Sequence, residues 1–230
     1  MSRNLSVRAE EEEQMDAGAL SPATYAQVLE GLARVNVVTM AAQATLKFLD
    51  HSGRTPFRLL DIGYGDGGML RAIWRWASRR GVACELVGID LNPRSEAVAQ
   101  ARHPAGAQIS YRTGDYATLA GEPWDFIVSS LVAHHMSNPQ RRDFLTFMES
   151  VAQRGWFVND LHRHRFAYYG YPLLARLLGV HRIVREDGQL SIARSFRPTE
   201  WDDMLGQTGL SGVAQVKRVF PFRLCVERHK

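Results

Sequence analysis

The segment LLDIGYGDGGML, residues 59–70, places four glycines within six positions directly after a short apolar run. Glycine at this density is unfavourable inside a helix or a strand, because it loses more backbone entropy than other residues and offers no side chain for packing. The segment therefore predicts a tight turn between a strand that ends at Ile62 and a helix that begins at Gly68. Something must approach the backbone closely at this turn.

Strands and helices alternate along the chain after this point. Apolar, strand-like segments occur at 57–62, 84–90, 107–113, 124–131 and 155–161, and helical segments occur between them at 68–80, 93–103 and 138–153. This alternation predicts an α/β fold with a doubly wound, mostly parallel sheet. Two further strands within 212–229 flank Pro221, and their connection is too short to be parallel, so we expect an antiparallel hairpin. In the helix predicted at 68–80, we expect Trp74 to lie in the core and Trp76 to lie at the surface or against a cap.

The chain before the first strand predicts two helices. Ser21 is a typical N-cap and Pro22 a typical first helical residue. A second helix is predicted from Val35 to Leu49, ending near Gly53. Residues 1–20 are polar and are expected to fray or to pack loosely.

Two nucleotide cofactors, NAD and S-adenosylmethionine, fit the sequence of the glycine-rich turn. Gly63, Gly65 and Gly68 satisfy G-x-G-x-x-G, and Asp90 follows at the distance typical of NAD-binding proteins. Asp61 favours S-adenosylmethionine, because a carboxylate attracts the cationic methionine end of that molecule and repels a pyrophosphate. The loop, Asp90 and Asp115 also come at the ends of three successive strands, where ligands of such sheets bind.

The stretch from about 57 to 161 resembles the class I S-adenosylmethionine-dependent methyltransferases, and in particular their small-molecule quinone and polyketide branch. The resemblance rests on the D-x-G-x-G-x-G loop of that family, which residues 61–67 match. It implies a seven-stranded Rossmann-like sheet with helical cap elements. It also implies that Asp90 binds ribose, that Leu91 packs against adenine, and that Asp115 and Tyr116 bind adenine. The full set of predicted cofactor-binding residues is Asp61, Gly63, Gly65, Gly67, Asp90, Leu91, Asp115, Tyr116, Ser129 and Ser130.

The same resemblance divides the chain into four parts. Residues 1–54 form an N-terminal helical cap, 55–161 the cofactor-binding core, 162–197 a helical cap insertion, and 198–230 the rest of the sheet with its last helix.

Two histidines follow the fourth strand, where a methyl acceptor would lie. An imidazole is a suitable base for a hydroxyl acceptor near neutral pH. His135 and His134 are therefore the predicted catalytic residues, with His135 preferred; the alternative is that they only cap a helix or bond to a carbonyl. After the fifth strand, His162, Arg163, Tyr168 and Tyr169 are predicted to contact the substrate. No metal site is predicted.

Composition adds limits on location and partners. A formal net charge of +4 is modest, and the two cysteines do not indicate a disulfide framework. The first residues lack the apolar region of a secretory signal, so a cytoplasmic location is expected. We expect a small-molecule substrate, no membrane span, no nucleic-acid partner, and a monomer or a homodimer.

The function predicted from sequence is O-methylation of a small aromatic or lipophilic molecule by S-adenosylmethionine. An RNA or protein methyltransferase is the first alternative, because the insertion is basic. An NAD-dependent oxidoreductase and a cofactor-binding module without activity are the others.

Overall fold

The computed structural model describes residues 3–16, 20–51 and 55–230 and contains one seven-stranded sheet. The strands are β1 (Phe57–Ile62), β2 (Cys84–Asp90), β3 (Ile109–Thr113), β4 (Trp124–Ser130), β5 (Ala152–Leu161), β6 (Gln215–Val219) and β7 (Arg223–His229). Their spatial order is β3-β2-β1-β4-β5-β7-β6. The first five strands are parallel, and β7 is antiparallel to both β5 and β6. The predicted fold class is therefore confirmed.

Helices connect the strands and cover the sheet. They are α1 (Pro22–Val38), α2 (Ala41–Asp50), α3 (Gly68–Arg80), α4 (Pro93–Gln100), α5 (Asn138–Val151), α6 (Arg165–Leu177), α7 (Arg182–Arg194) and α8 (Pro198–Gln207). Ser21 caps α1, as predicted, by accepting a hydrogen bond from the Thr24 N–H. The break between α1 and α2 lies at Thr39 and Met40, four residues later than the predicted start of the second helix, because Met40 adopts a left-handed conformation. The predicted stop near Gly53 falls outside the described residues.

The core consists of two apolar clusters, one on each face of the sheet. One cluster joins α2, α3 and α4 to the sheet, and the other joins α5 and α8 to it. Trp76 is 6% exposed and donates a hydrogen bond to Asp50 at the end of α2, so it contacts the N-terminal helices, which is one of its two expected placements. Trp74, which was expected in the core, is half-buried and packs at the edge of the core cluster. Helix α2 packs beside α3 and covers the face that the pattern within α3 assigned to solvent.

The N-terminal helices and the insertion after β5 pack on each other. The insertion holds two helices, α6 and α7. Val28 and Val35 of α1 contact Ile183 and Val184 of α7 in a small buried cluster. The division of the chain into cap and core segments stays a prediction.

Residues 3–16, which we call the strap, contradict the expectation of a loose terminus. The strap has no helix or strand, yet Leu5, Ala9 and Glu13 are buried. The Ala9 N–H donates to the carbonyl of Ala193, and the Arg163 guanidinium donates to the carbonyl of Leu5. Long-range contacts of this kind leave no periodic signal in the sequence.

Candidate functional site

The glycine-rich loop lies between β1 and α3 and needs glycine for two different reasons. Gly63, Gly65 and Gly67 all have positive φ, at 76°, 54° and 74°. A Cβ at Gly63 would lie 2.3 Å from Cγ2 of Val132, so no larger residue fits there. A Cβ at Gly65 would meet no atom within 4 Å among the described residues, so the backbone there borders open space in which a ligand fits.

Asp61 lies at the end of β1 and is 1% exposed. Neither of its carboxylate oxygens has a hydrogen-bond partner within the described parts of the chain. Burial raises the pKa of Asp61 to about 8, and the neighbouring Asp90 and Asp66 add to this effect. A buried carboxylate without a partner is costly, so its surroundings fit a cation that binds from outside the chain.

Asp90 ends β2 and faces the same loop. One oxygen accepts a hydrogen bond from the Gly65 N–H at 2.9 Å, and the other accepts from the Asn92 N–H at 2.8 Å. Burial raises the pKa of Asp90. Each oxygen can still accept a second hydrogen bond, as ribose hydroxyls would require. Leu91 follows and is 75% exposed, which suits an apolar side chain that packs against a flat ligand.

The predicted adenine residues follow β3. The exposed Asp115 accepts a hydrogen bond from the Ala117 N–H through one oxygen and so starts a short 3₁₀ turn. The Tyr116 ring packs edge-on against Phe144 and Phe147 in the core.

The end of β4 connects the loop to the histidines. Ser129 is buried and donates a hydrogen bond to the carbonyl of Ile62 at 2.9 Å, which ties β4 to β1. Ser130 is half-buried and is the last residue of β4. Two residues later, the Val132 side chain packs on Gly63. The turn that carries the histidines therefore lies directly beside the glycine-rich loop.

His134 is buried and held by Asp160 at the end of β5. Its Nδ1 lies 2.7 Å from one Asp160 oxygen, and its backbone N–H donates to the other at 2.9 Å. Burial by itself lowers the pKa of His134, but the Asp160 and Glu13 carboxylates outweigh burial and raise the pKa to about 9. For the same reason the pKa of Asp160 is lowered, although burial opposes this.

His135 is the more accessible histidine, with 29% of its side chain exposed. Its Nδ1 lies 2.9 Å from an oxygen of Asp16 in the strap, and the two imidazole rings lie 4.2 Å apart. Burial raises the pKa of Asp16, but His135 outweighs burial and lowers it. Asp16 thus fixes the orientation of His135 and leaves Nε2 for other contacts.

Glu13 of the strap lies between the two histidines. One of its oxygens is 3.6 Å from Nε2 of His134, and the other is 3.9 Å from Nε2 of His135. Glu13 is 2% exposed and also accepts a hydrogen bond from Ser191 of α7. The ligand atoms of Glu13, His134 and His135 lie within 4.8 Å of one another, so this cluster is able to hold a metal ion. Sequence reasoning missed Glu13 and Asp16, because nothing separates Glu13 from the acidic run of residues 10–13.

The predicted substrate residues do not gather at the histidine pair. The Arg163 guanidinium is buried, donates to the carbonyls of Leu5 and Ser195, and pairs with Glu200 at 2.6 Å, so it is not free to meet a substrate. His162 lines a separate groove of about 280 Å³ together with Arg218 and Phe222. Tyr168 packs against the strap at Leu5 and Ala9, and Tyr169 is 50% exposed. Among the described residues, no helix has the length and apolar character to cross a membrane.

Comparison with known proteins agrees with this geometry. Residues 59–155 match a family described as a methyltransferase domain. No curated protein matches the chain. The human N-acetylserotonin methyltransferase, solved with S-adenosylmethionine, has a similar structure with a TM-score of 0.64 at 16% identity, over 91% of this chain and 56% of that chain.

Two other solved structures have similar values. PigF, solved with S-adenosylhomocysteine, has a TM-score of 0.66 at 16% identity, over 96% of this chain and 63% of that chain. A methyltransferase from Aquifex aeolicus has a TM-score of 0.59 at 16% identity, over 91% of this chain and 97% of that chain. The chain spans just over half the length of the human protein and nearly all of the Aquifex protein. At these identities the likeness shows the fold.

The matched domain runs from β1 into β5 and contains the glycine-rich loop, Asp90 and the histidine pair. The sheet has the seven strands and the antiparallel C-terminal pair that the family resemblance implied. Residues 59–155 therefore form a methyltransferase domain, within a sheet that has the fold of methyltransferases solved with S-adenosylmethionine or S-adenosylhomocysteine.

Proposed function

We propose that this protein transfers a methyl group from S-adenosylmethionine to a hydroxyl of a small aromatic or lipophilic molecule. The observation that supports the cofactor most directly is the buried Asp61 carboxylate, which has no hydrogen-bond partner within the described residues. Asp90 lies near Asp61 and adds negative charge to the loop region, whereas Asp66 is paired with Arg71 and Arg102. A pyrophosphate would be repelled there, whereas a sulfonium and an ammonium group would be attracted.

Each part of the cofactor has a matching group in the chain. Asp61 and the open backbone at Gly65 would hold the methionine end, and Asp90 would accept from the ribose hydroxyls. Leu91 would pack against the adenine, which Asp115 and the Tyr116 backbone would bind at its edge. When bound, S-adenosylmethionine supplies an electrophilic methyl group on a positively charged sulfur.

The histidine pair is placed to prepare the acceptor. His134 has a pKa of about 9 and so carries a proton at neutral pH, which makes it a hydrogen-bond donor there. His135 is more exposed, and Asp16 holds its Nδ1, so its Nε2 is the atom able to accept a proton from a hydroxyl. The strap and α7 pack against this region.

Two further points support a small acceptor. The strap and α7 pack against the histidines, which suits an enclosed molecule better than a polymer. The human protein with a similar fold is by name a methyltransferase of N-acetylserotonin, a small aromatic molecule. The identity of the acceptor, and the choice of oxygen over nitrogen or carbon, rest on this proposal alone.

A screen with S-adenosylmethionine labelled in its methyl group tests the proposal. The panel contains phenols, hydroquinones, aromatic polyketides, indoles, total RNA and a protein extract, and a parallel assay follows nicotinamide absorbance. We expect label in an organic-extractable product of a phenolic or quinol acceptor. Label in RNA or protein, or nicotinamide turnover without methyl transfer, would replace the proposal with one of the alternatives.

A further inference from the structure

We propose that Glu13, His134 and His135 form a binding site for a divalent transition-metal ion, with Zn²⁺ as the best fit. The site joins one carboxylate from the strap to two imidazoles from the turn after β4. No metal was predicted from the sequence, because Glu13 comes from a segment more than one hundred residues away from the histidines.

The orientation of both imidazoles supports this proposal. Nδ1 of His134 lies 2.7 Å from Asp160, and Nδ1 of His135 lies 2.9 Å from Asp16. In proteins a histidine that binds a metal commonly donates its other ring N–H to a carboxylate, which fixes the ring and makes the ligand nitrogen more basic. Both rings have this arrangement, and both Nε2 atoms face Glu13.

The buried atoms at the centre point to a missing ligand. Nε2 of His134 is buried and has no hydrogen-bond partner within the described ranges 3–16, 20–51 and 55–230, and the residue is 2% exposed. Glu13 Oε1 is 3.6 Å away from this nitrogen, which is too long for a hydrogen bond. Ligands that share one Zn²⁺ lie about 3 to 3.5 Å apart, given bonds of about 2.0–2.2 Å, whereas these ligand atoms lie within 4.8 Å of one another, so the side chains must move closer together when the ion binds.

The charges around the cluster favour a cation. Glu13, Asp16 and Asp160 contribute three negative charges that face the two imidazoles. Arg194 lies 3.9 Å from Glu13, and Arg8 donates to the carbonyl of His134, so two positive groups are close by. With both imidazoles neutral, as metal ligands must be, the three carboxylates outnumber these two cations. A donor set with two imidazoles suits a divalent transition-metal ion better than Mg²⁺, which prefers oxygen ligands.

An ion at this position would bind the hydroxyl of the methyl acceptor, a consequence that rests on the proposed function. Three protein ligands leave a coordination position open, and the site adjoins the glycine-rich loop through the contact of Val132 with Gly63. A hydroxyl oxygen bound to the ion would lose its proton to water more readily. With the ion bound, Nε2 of His135 is a ligand, and the proton does not pass to the imidazole.

Metal analysis of the full-length protein tests the site independently of any acceptor. The purified protein is treated with a chelator, dialysed, and titrated calorimetrically with Zn²⁺, Mn²⁺ and Mg²⁺; Co²⁺ absorption reports the ligand geometry. We expect one Zn²⁺ per chain, weaker Mn²⁺ binding and no measurable Mg²⁺ binding. Glu13→Gln and His135→Ala should each weaken Zn²⁺ binding by at least about 10-fold.

Two matched variants serve as controls. Glu11→Gln changes an exposed residue of the same strap, and His51→Ala removes an exposed histidine at the end of α2. Both should bind Zn²⁺ like the parent protein. Circular dichroism confirms that each variant is folded, and the half-exposed His135 offers a variant that is safer for folding than the buried His134.

Absence of stoichiometric Zn²⁺ uptake by the folded parent, or uptake that Glu13→Gln and His135→Ala leave unchanged, would overturn the site. S-adenosylmethionine binding is measured on the same samples. If the protein binds Zn²⁺ but not S-adenosylmethionine, the proposed function fails and the metal site stands. If the protein binds S-adenosylmethionine but not Zn²⁺, the metal site fails and the proposed role of His135 as a base stands.

Discussion

At the scale of single residues, three acidic groups explain the site, and each is used differently. Asp61 is buried without a partner in the described residues, Asp90 accepts two backbone N–H groups, and Asp66 is neutralised by Arg71 at 2.7 Å and Arg102 at 3.1 Å. Asp61 is therefore the group whose charge a ligand must balance.

The first prediction follows from the raised pKa of Asp61. In the free protein this carboxyl is largely protonated below pH 8, and a bound ammonium or sulfonium favours its ionised form, so binding releases a proton. The affinity for S-adenosylmethionine should therefore rise between pH 6 and pH 8, by up to about tenfold per pH unit. Calorimetry across this range measures the effect.

Asp61→Asn is the control for this pH dependence, because it keeps the size of the side chain and removes its titration. The variant should show a flatter profile, with only the titration of the ligand itself remaining. An identical pH profile in both proteins would contradict the role of Asp61.

The second prediction concerns Asp16, which holds Nδ1 of His135. Asp16→Asn should lower methyl transfer by about 10- to 100-fold, because the imidazole loses its orienting carboxylate, while S-adenosylmethionine affinity changes little. Turnover with the acceptor found in the labelled screen, together with calorimetry, checks both parts. Glu12→Gln, at an exposed strap position, should behave like the parent; equal turnover in Asp16→Asn would exclude this role.

At the scale of elements, the strap depends on α7 for its position. Asp187 of α7 accepts the N–H groups of Gln14 and Met15, each at 3.0 Å, and Ser191 of α7 donates to Glu13. These bonds place Glu13 and Asp16 at the histidines. The insertion between β5 and α8 is therefore connected to the histidines through the strap.

The third prediction tests this coupling. Asp187→Ala removes the acceptor of two strap N–H groups, so it should lower the free energy of unfolding by about 1–3 kcal/mol and increase hydrogen exchange at Gln14 and Met15. Chemical denaturation and exchange mass spectrometry measure the two effects. Arg182→Ala changes an exposed residue of the same helix and should have little effect; unchanged exchange in Asp187→Ala would show that other contacts hold the strap.

Sequence patterns predicted the elements better than their contacts. The alternation of strands and helices, the glycine-rich loop and the Ser21 cap all depend on neighbouring residues, and the structure confirms them. Trp76, Glu13 and Asp16 depend on partners that are distant along the chain; Asp16 and His135, for example, are 119 residues apart. Such pairs have no local signature, so the strap was predicted to be loose.

At the scale of the whole molecule, the modest net charge of +4 argues for a small acceptor. Binding to a nucleic acid through several phosphate contacts would fall by about 10³-fold or more between 50 and 200 mM salt. We predict instead that the KM for the acceptor changes by less than about threefold over this range. Steady-state kinetics with labelled methyl donor at several salt concentrations measures the dependence, and a steep loss would favour an RNA substrate.

Calorimetric titration of S-adenosylmethionine and of NAD into the parent protein and Asp61→Asn tests whether Asp61 selects the cofactor. We expect one S-adenosylmethionine per chain, binding at least about tenfold weaker in Asp61→Asn at pH 8, and no binding of NAD. Binding of NAD in place of S-adenosylmethionine, or equal S-adenosylmethionine affinity in both proteins, would contradict this expectation.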